Sequence, residues 1–178
     1  MIRKALSLIV AAFVLLSAAA VTVTVASMSK SVTPKLGYYK GPEGRLPGIS
    51  ATGVKVVKMG KHRGAEFEVS FELMCPHSSK TPQVMFGWVV ETPIRIKNGE
   101  FEFDRTIHSH VATWEGSAER GITAPGTSKL VVSGLFRSAT KVIVEASATG
   151  TYDVQYEGQS SEKVECSGTQ TATAKLKH

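Results

Sequence analysis

The chain has 178 residues, is 42% hydrophobic and carries a formal net charge of +6. That length holds one domain large enough to bury a core without metal or many disulfides. Basic and acidic residues interleave, so the excess charge makes no basic stripe with stacking aromatics, and a nucleic-acid partner is not expected.

Arg3 and Lys4 precede an uncharged apolar run from Ala5 to Ala26, and the next charge is Lys30. A basic start, an apolar stretch and a small-residue tail are the parts of a secretory signal peptide. Residues 1–26 are read as that leader, with cleavage after Ala20 or Ala26, because Ala18-Ala19-Ala20 and Thr24-Val25-Ala26 offer the small residues a signal peptidase reads. The competing reading is an uncleaved anchor, since a bilayer-spanning helix needs about 20 apolar residues. Membrane contact is then expected only through this N-terminal segment, if it is kept. Either way the remainder is placed outside the cytoplasm, secreted or in the cell envelope. Removing Arg3 and Lys4 takes the charge from +6 to +4. Lys55, Lys58, Lys61, His62 and Arg63 form the densest basic group, and such charge steers a protein toward anionic envelope polymers.

Residues 27–50 hold Pro34, Gly37, Gly41, Pro42, Gly44, Pro47 and Gly48, and read as an irregular lead-in with one short strand near Leu36–Tyr39. Residues 51–178 form the domain proper. Strands are expected at Thr52–Lys58, Ala65–Cys75, Gln83–Val90, Pro93–Ile96, Glu100–Ile107, Leu130–Phe136, Val142–Val154, Lys163–Cys166 and Thr169–Leu176, all rich in Val, Ile, Thr and Phe. Lys97-Asn98-Gly99, between Ile94/Ile96 and Phe101/Phe103, is the clearest hairpin, because Asn-Gly tolerates the positive φ of tight turns. Residues 117–128 show no strand pattern and read as a loop or a short helical turn. Beyond the leader, no segment sustains a 3.6-residue apolar period. The fold class is therefore all-β, an antiparallel β-sandwich or barrel in one domain, with jelly-roll or immunoglobulin-like topology. Trp88 follows Cys75 at a spacing close to the immunoglobulin pattern, but Val164 stands where a tyrosine corner would put its tyrosine.

Two cysteines remain beyond the leader. Phe67, Val69, Phe71, Leu73 and Cys75 alternate with Glu66, Glu68, Ser70, Glu72 and Met74, which puts Cys75 on the buried face of a strand. Val164 and Cys166 share parity in the same way. One inter-sheet disulfide between Cys75 and Cys166 is the expectation for an exported chain. The alternatives are free buried thiols or a catalytic cysteine, and His77 sits in poor geometry to activate Cys75.

In order along the chain come Gly37-Tyr38-Tyr39-Lys40-Gly41, Phe71-x-x-x-Cys75, Ile96-Lys97-Asn98-Gly99-Glu100-Phe101, Gly134-Leu135-Phe136 with Ser138-Ala139-Thr140-Lys141, Gly150-Thr151-Tyr152 and Cys166-Ser167-Gly168. This order resembles the small secreted two-cysteine β-sandwich proteins of actinobacteria, whose function is unassigned. Those proteins often end in a tryptophan-threonine-alanine strand, where this chain has Ala172-Thr173-Ala174. The resemblance implies a sandwich and export, and brings no catalytic residues with it.

Three sets of residues could carry chemistry. Glu100, Glu102 and Asp104 alternate with Phe101 and Phe103, so all three carboxylates share one strand face. Residues two apart on a strand are roughly 6.5–7 Å apart, near the carboxyl separations of glycosidases, which makes a glycoside-active enzyme the runner-up. His108 and His110 also share a face, but a metal site needs a third ligand that the spacing does not select, and no metal is expected. Tyr38, Tyr39 and Trp114 are the candidates for stacking on a glycan, whereas Trp88 among Phe86, Val89 and Val90 reads as core. No nucleophile elbow, phosphate loop or dinucleotide fingerprint appears, and no cofactor is expected. The leading expectation is a non-enzymatic binding or structural module whose partner is an envelope polymer or glycan.

Overall fold

The computed structural model describes residues 31–42, 52–75, 83–113, 122–154 and 162–177. The leader with its two cleavage positions, and Trp114, lie outside these residues. Among the described residues there are eight strands: β1 (Gly37–Lys40), β2 (Thr52–Met59), β3 (His62–Met74), β4 (Gln83–Arg95), β5 (Glu100–Thr113), β6 (Ile122–Ser138), β7 (Lys141–Val154) and β8 (Glu162–Leu176). They form one antiparallel sheet that curls until β1 meets β8 and the ring closes. The expected all-β antiparallel fold with its Cys75–Cys166 bridge is what the chain adopts. The curl brings opposite parts of the sheet over one shared core, which gives the sandwich-like character. The order of strands is sequential, unlike the Greek-key orders of jelly rolls and immunoglobulin domains, because each strand pairs with its neighbour in sequence and only β1 and β3 reach across to β8.

Alternation decides which residues fill the ring. On β3 the residues Ala65, Phe67, Val69, Phe71 and Leu73 are buried, while Glu66, Glu68 and Glu72 face outward. On β7 and β8 the inward positions are smaller: Ala146, Ala148, Ala172 and Ala174. Small side chains on that wall leave room for the phenylalanines of the other. An eight-stranded ring is just wide enough for side chains to fill it. Toward one end a chain of rings spans the interior, Phe103 to Phe67 (5.4 Å), Phe67 to Phe101 (6.1 Å), Phe101 to Phe136 (6.3 Å) and Phe136 to Tyr39 (5.4 Å). Each such pair adds about 0.5–1.5 kcal/mol beyond its buried area. The outer wall carries Lys55 paired with Glu66 (3.0 Å) and Lys129 paired with Asp104 (3.2 Å), together with Glu102 and Glu145. A barrel wall that faces lipid presents an apolar band instead. Among the described residues no helix is long and apolar enough to cross a membrane.

Several strands run further than the alternation predicts, among them β5, which continues from Ile107 to Thr113. β4 continues through Pro93: Phe67 pairs with Val90 and Ala65 with Ile94, so Glu91, Thr92 and Pro93 bulge out opposite Glu66. A bulge is where a strand tolerates proline. β8 continues through Ser167 and Gly168, joining two expected strands. β6 starts at Ile122, so residues 122–128 are strand rather than loop or helical turn. Among those whose burial is described, the inward positions are Gly126 and Ser128 in place of large apolar residues, which weakened the signal. Ser128 is buried and shares a hydroxyl cluster with Ser109 (2.8 Å) and Tyr152.

The seam is built from two short pieces. β1 spans four residues and pairs with β8 at Tyr39–Leu176 and Lys40–Lys175, and Lys177 N–H donates to the Tyr38 carbonyl just beyond them (2.9 Å). Further along, β3 outruns β2, whose pairing stops at Thr52–Val69, and its end meets β8 directly at Met74–Ser167. Cys75 and Cys166 bridge the strands there, with Cα atoms 4.2 Å apart and both residues fully buried. The bridge therefore staples the seam of one sheet rather than two separate sheets. Gln170 Nε2 donates to Thr52 Oγ1 across the same seam at 2.8 Å.

Tyr39 bolts one end of the ring. Its ring is fully buried, and its hydroxyl lies between the carbonyls of Lys35 (2.9 Å) and Ala139 (2.6 Å). Lys35 N–H also donates to the Ala139 carbonyl at 2.9 Å, which ties the lead-in to the β6–β7 turn. Burial raises the phenol above its ordinary value of 10.0, with Arg63 pulling the other way. A raised folded-state value favours the neutral phenol, so this contribution is complete below about pH 10 and is lost as pH rises through the folded value. Tyr39→Phe is expected to destabilise the fold by about 1–2 kcal/mol at neutral pH. It is also expected to flatten the alkaline fall of the melting temperature. Parallel melting curves for the two proteins from neutral to alkaline pH would show that Tyr39 does not titrate as a buried group.

Candidate functional site

The described turns of the sheet collect at one end, and the lead-in 31–36 lies over that end. The β2–β3 turn carries Gly60 with φ at +57° and Lys61 at its tip. The β4–β5 turn is Lys97-Asn98-Gly99-Glu100, with φ of +53° at Asn98 and +84° at Gly99, as the Asn-Gly pair predicted. Val32 packs beside Gly99, where a Cβ would sit 3.1 Å from the Val32 carbonyl oxygen. Together these pieces line a depression of about 520 Å³, walled by Ser31–Pro34, Leu36, Lys58, Gly60–Arg63, Ile96, Asn98 and Gly99.

Its charge is set by strand parity. On β2 the inward positions run Val54, Val56, Lys58, and on β3 they run Arg63, Ala65, Phe67. The two apolar stripes thus end in cations at the mouth of the ring. Lys58 and Arg63 pair directly across the hairpin, and like charges directly opposite each other destabilise a sheet. Among the described residues, none of Lys58, Lys61 and Arg63 lies within ion-pair distance of a carboxylate. Among the described residues, no acidic one lines the depression. The Arg95 guanidinium, a permanent donor, reaches His62 Nδ1 at 3.3 Å and brings a further positive charge beside the rim. Arg63 is half-buried, while Lys58, Lys61 and His62 are exposed. What such a mouth can do chemically is hold an anion: lysines as mobile point charges, Arg63 as a planar fork.

A second depression, of about 730 Å³, lies on the outer face across the β4–β5 turn. Glu100 and Glu102 line it, joined by Glu145 from β7, and so do Arg95, Lys97 and Arg137. Glu102, Ser133 and Glu145 stand in one cross-strand row. Asp104 is not part of this depression and is paired with Lys129. The structure therefore brings together two of the three expected carboxylates and adds a third that only the register reveals. Glu100 and Glu102 are water-exposed, whereas a glycosidase acid works where water is withheld. Its three cations offset its three carboxylates, so no net charge singles out a ligand.

The aromatic candidates separate. Tyr39 is core, held by the carbonyls it bonds, and cannot stack on a sugar. Its parity places it inside the ring, which Gly37-Tyr38-Tyr39-Lys40 alone did not reveal because two adjacent tyrosines carry no alternation. Tyr38 faces outward, where its hydroxyl donates to Glu68 Oε1 over the bare backbone of Gly53. Trp114 lies outside the described residues. His108 sits on the outer face with Nδ1 3.3 Å from Thr127 Oγ1. Among the described residues no three His, Cys, Asp or Glu side chains come together as a metal site.

The basic residues of the mouth were visible in sequence as a charge group. Their inward parity, and the roles of the lead-in and of Asn98 in walling them, were not. No protein-family model matches the chain, and no curated protein or solved structure matches it.

Proposed function

We propose that this protein is a non-enzymatic, extracytoplasmic binding module of the cell envelope, of the small secreted two-cysteine kind, and that its cationic mouth is an anion-binding site. The observation that carries this reading is the directly opposed Lys58 and Arg63 at the end of an apolar interior, in a depression lined by no acidic residue among those described. Two cations held face to face at a cost to the sheet are relieved by a bound anion. The wholly buried disulfide supports the oxidising compartment, since such bridges persist there and not in the cytosol. The ligand groups are phosphates or carboxylates of an envelope component.

The test is retention of the protein on immobilised polyglycerol phosphate and on a neutral glucan, at low and at high salt. Binding to the polyanion that weakens as salt rises is expected. Lys58→Glu with Arg63→Glu is expected to lower it on the order of tenfold or more. Retention by the neutral glucan alone, untouched by the double charge reversal, would replace the anion site with a sugar-stacking one.

A further inference from the structure

We infer that the anionic partner of the cationic mouth is a phospholipid surface, so that this end of the barrel docks on the outer leaflet of the membrane the chain crosses. The inference rests on the anion-binding reading above and names its partner.

Three observations converge on the one end. The first is charge: Lys58, Lys61 and Arg63 gather there with no carboxylate in the lining among the described residues, and an anionic headgroup plane supplies many phosphates at once. The second is apolar exposure beside that charge. Leu36, 49% exposed, lines the depression, and Met59, 36% exposed, ends β2 beside it on the outer face. Cations flanked by protruding apolar side chains suit an interface where headgroups meet acyl chains, and a soluble polyanion has no use for Leu36 or Met59. The third is the path of the chain. Ser31 lies in the wall of the depression, and the apolar run ends at Ala26, five residues earlier. Five residues reach at most about 17 Å. While the leader is in the bilayer, the mouth is the end of the barrel tethered beside the headgroups. Once it is removed, the mouth retains the protein there.

The adjoining outer depression, which shares Asn98 with the mouth, gives the contrast. The outer depression mixes Glu100, Glu102 and Glu145 with Arg95, Lys97 and Arg137, and an anionic surface would repel the first three as it attracts the others.

The experiment takes the exported protein as recovered from the cell, with whatever N-terminus it bears, and the charge variants carry the same N-terminus, so that a retained leader does not enter their comparison. Amide hydrogen exchange is followed without vesicles, with phosphatidylcholine vesicles, and with vesicles of phosphatidylcholine and phosphatidylglycerol in equal parts. A parallel arm uses soluble polyglycerol phosphate. Slowed exchange in the Met59–Arg63 turn with the phosphatidylglycerol vesicles, and not with phosphatidylcholine alone, is the expected result. Lys58→Glu with Arg63→Glu is expected to weaken the protecting interaction about thirtyfold, at roughly fivefold per basic residue. Lys61→Glu at the exposed turn tip, where folding is not at stake, is expected to weaken it about fivefold. Protection by polyglycerol phosphate but by neither vesicle overturns the membrane inference and leaves the anion site standing. Protection by no probe overturns both. Equal protection by the two vesicle types removes the charge argument and with it the proposal.

Discussion

Replacing Cys75 and Cys166 together by alanine is expected to cost roughly 4–5 kcal/mol of stability, the largest effect of any change considered for this protein. The bridge closes a loop across 91 residues of sequence, and a crosslink that long restricts the unfolded chain strongly in the chain-entropy account. The native side of the balance adds to this. The seam of the ring depends on two paired residues of β1 and one of β3, so few backbone hydrogen bonds hold it without the bridge. Both sulfurs are fully buried, and neither reacts until the ring opens. Urea unfolding of the oxidised wild type and the double variant measures the difference. A midpoint shift worth less than about 1 kcal/mol would mean that the seam holds by packing alone.

Gly168→Ala is expected to destabilise the fold by about 2–3 kcal/mol. A Cβ at this position would lie 2.3 Å from the carbonyl oxygen of Glu72 and 2.9 Å from Leu73 Cδ2. The first obstacle is main chain, so no rotamer change relieves it, and β8 must move away from β3 beside the disulfide. Gly87 supplies the control. It too lies in a strand, but a Cβ there meets nothing within 4 Å, so Gly87→Ala is expected to be neutral or slightly stabilising. The two seam changes are also coupled. With the cysteines already replaced, the strands can separate, and Gly168→Ala then costs less than it does alone. Thermal melts of the four combinations read this directly, and simple additivity would place the strain elsewhere.

The legible part of the fold was the part written in alternation. β3 announced itself through Phe67, Val69, Phe71, Leu73 and Cys75, and the same parity argument correctly turned both cysteines inward. Asn98-Gly99 announced its turn through backbone sterics alone. Where the interior takes glycine or hydroxyls, alternation falls silent. Gly126 and Ser128 are inward residues of β6, and Ser109 and Tyr152 complete the hydroxyl cluster that Ser128 joins. Pro93 broke the pattern of β4 without breaking the strand, because a bulge absorbs it. Strand order was not legible, since nothing local distinguishes a sequential ring from a Greek key. For the site, sequence showed how many cations lie between Lys55 and Arg63 but not which way they face. Lys55 proves to be outside, tied to Glu66, while Lys58 and Arg63 crown the interior. The grouping of Glu145 with Glu102 required the β5–β6–β7 register.

The sequential order of the strands sets a timetable for making the molecule. Each of β2 to β7 can zip onto its predecessor as soon as it emerges from the ribosome, but the ring has no last partner until β8 has been synthesised. Cys166 appears 91 residues after Cys75, so the first thiol waits through most of translation with nothing to join. Oxidation is thus a finishing step that reports completed closure. A nascent chain stalled before β8 is an open, curled ribbon whose two free edges are prone to pair with other ribbons.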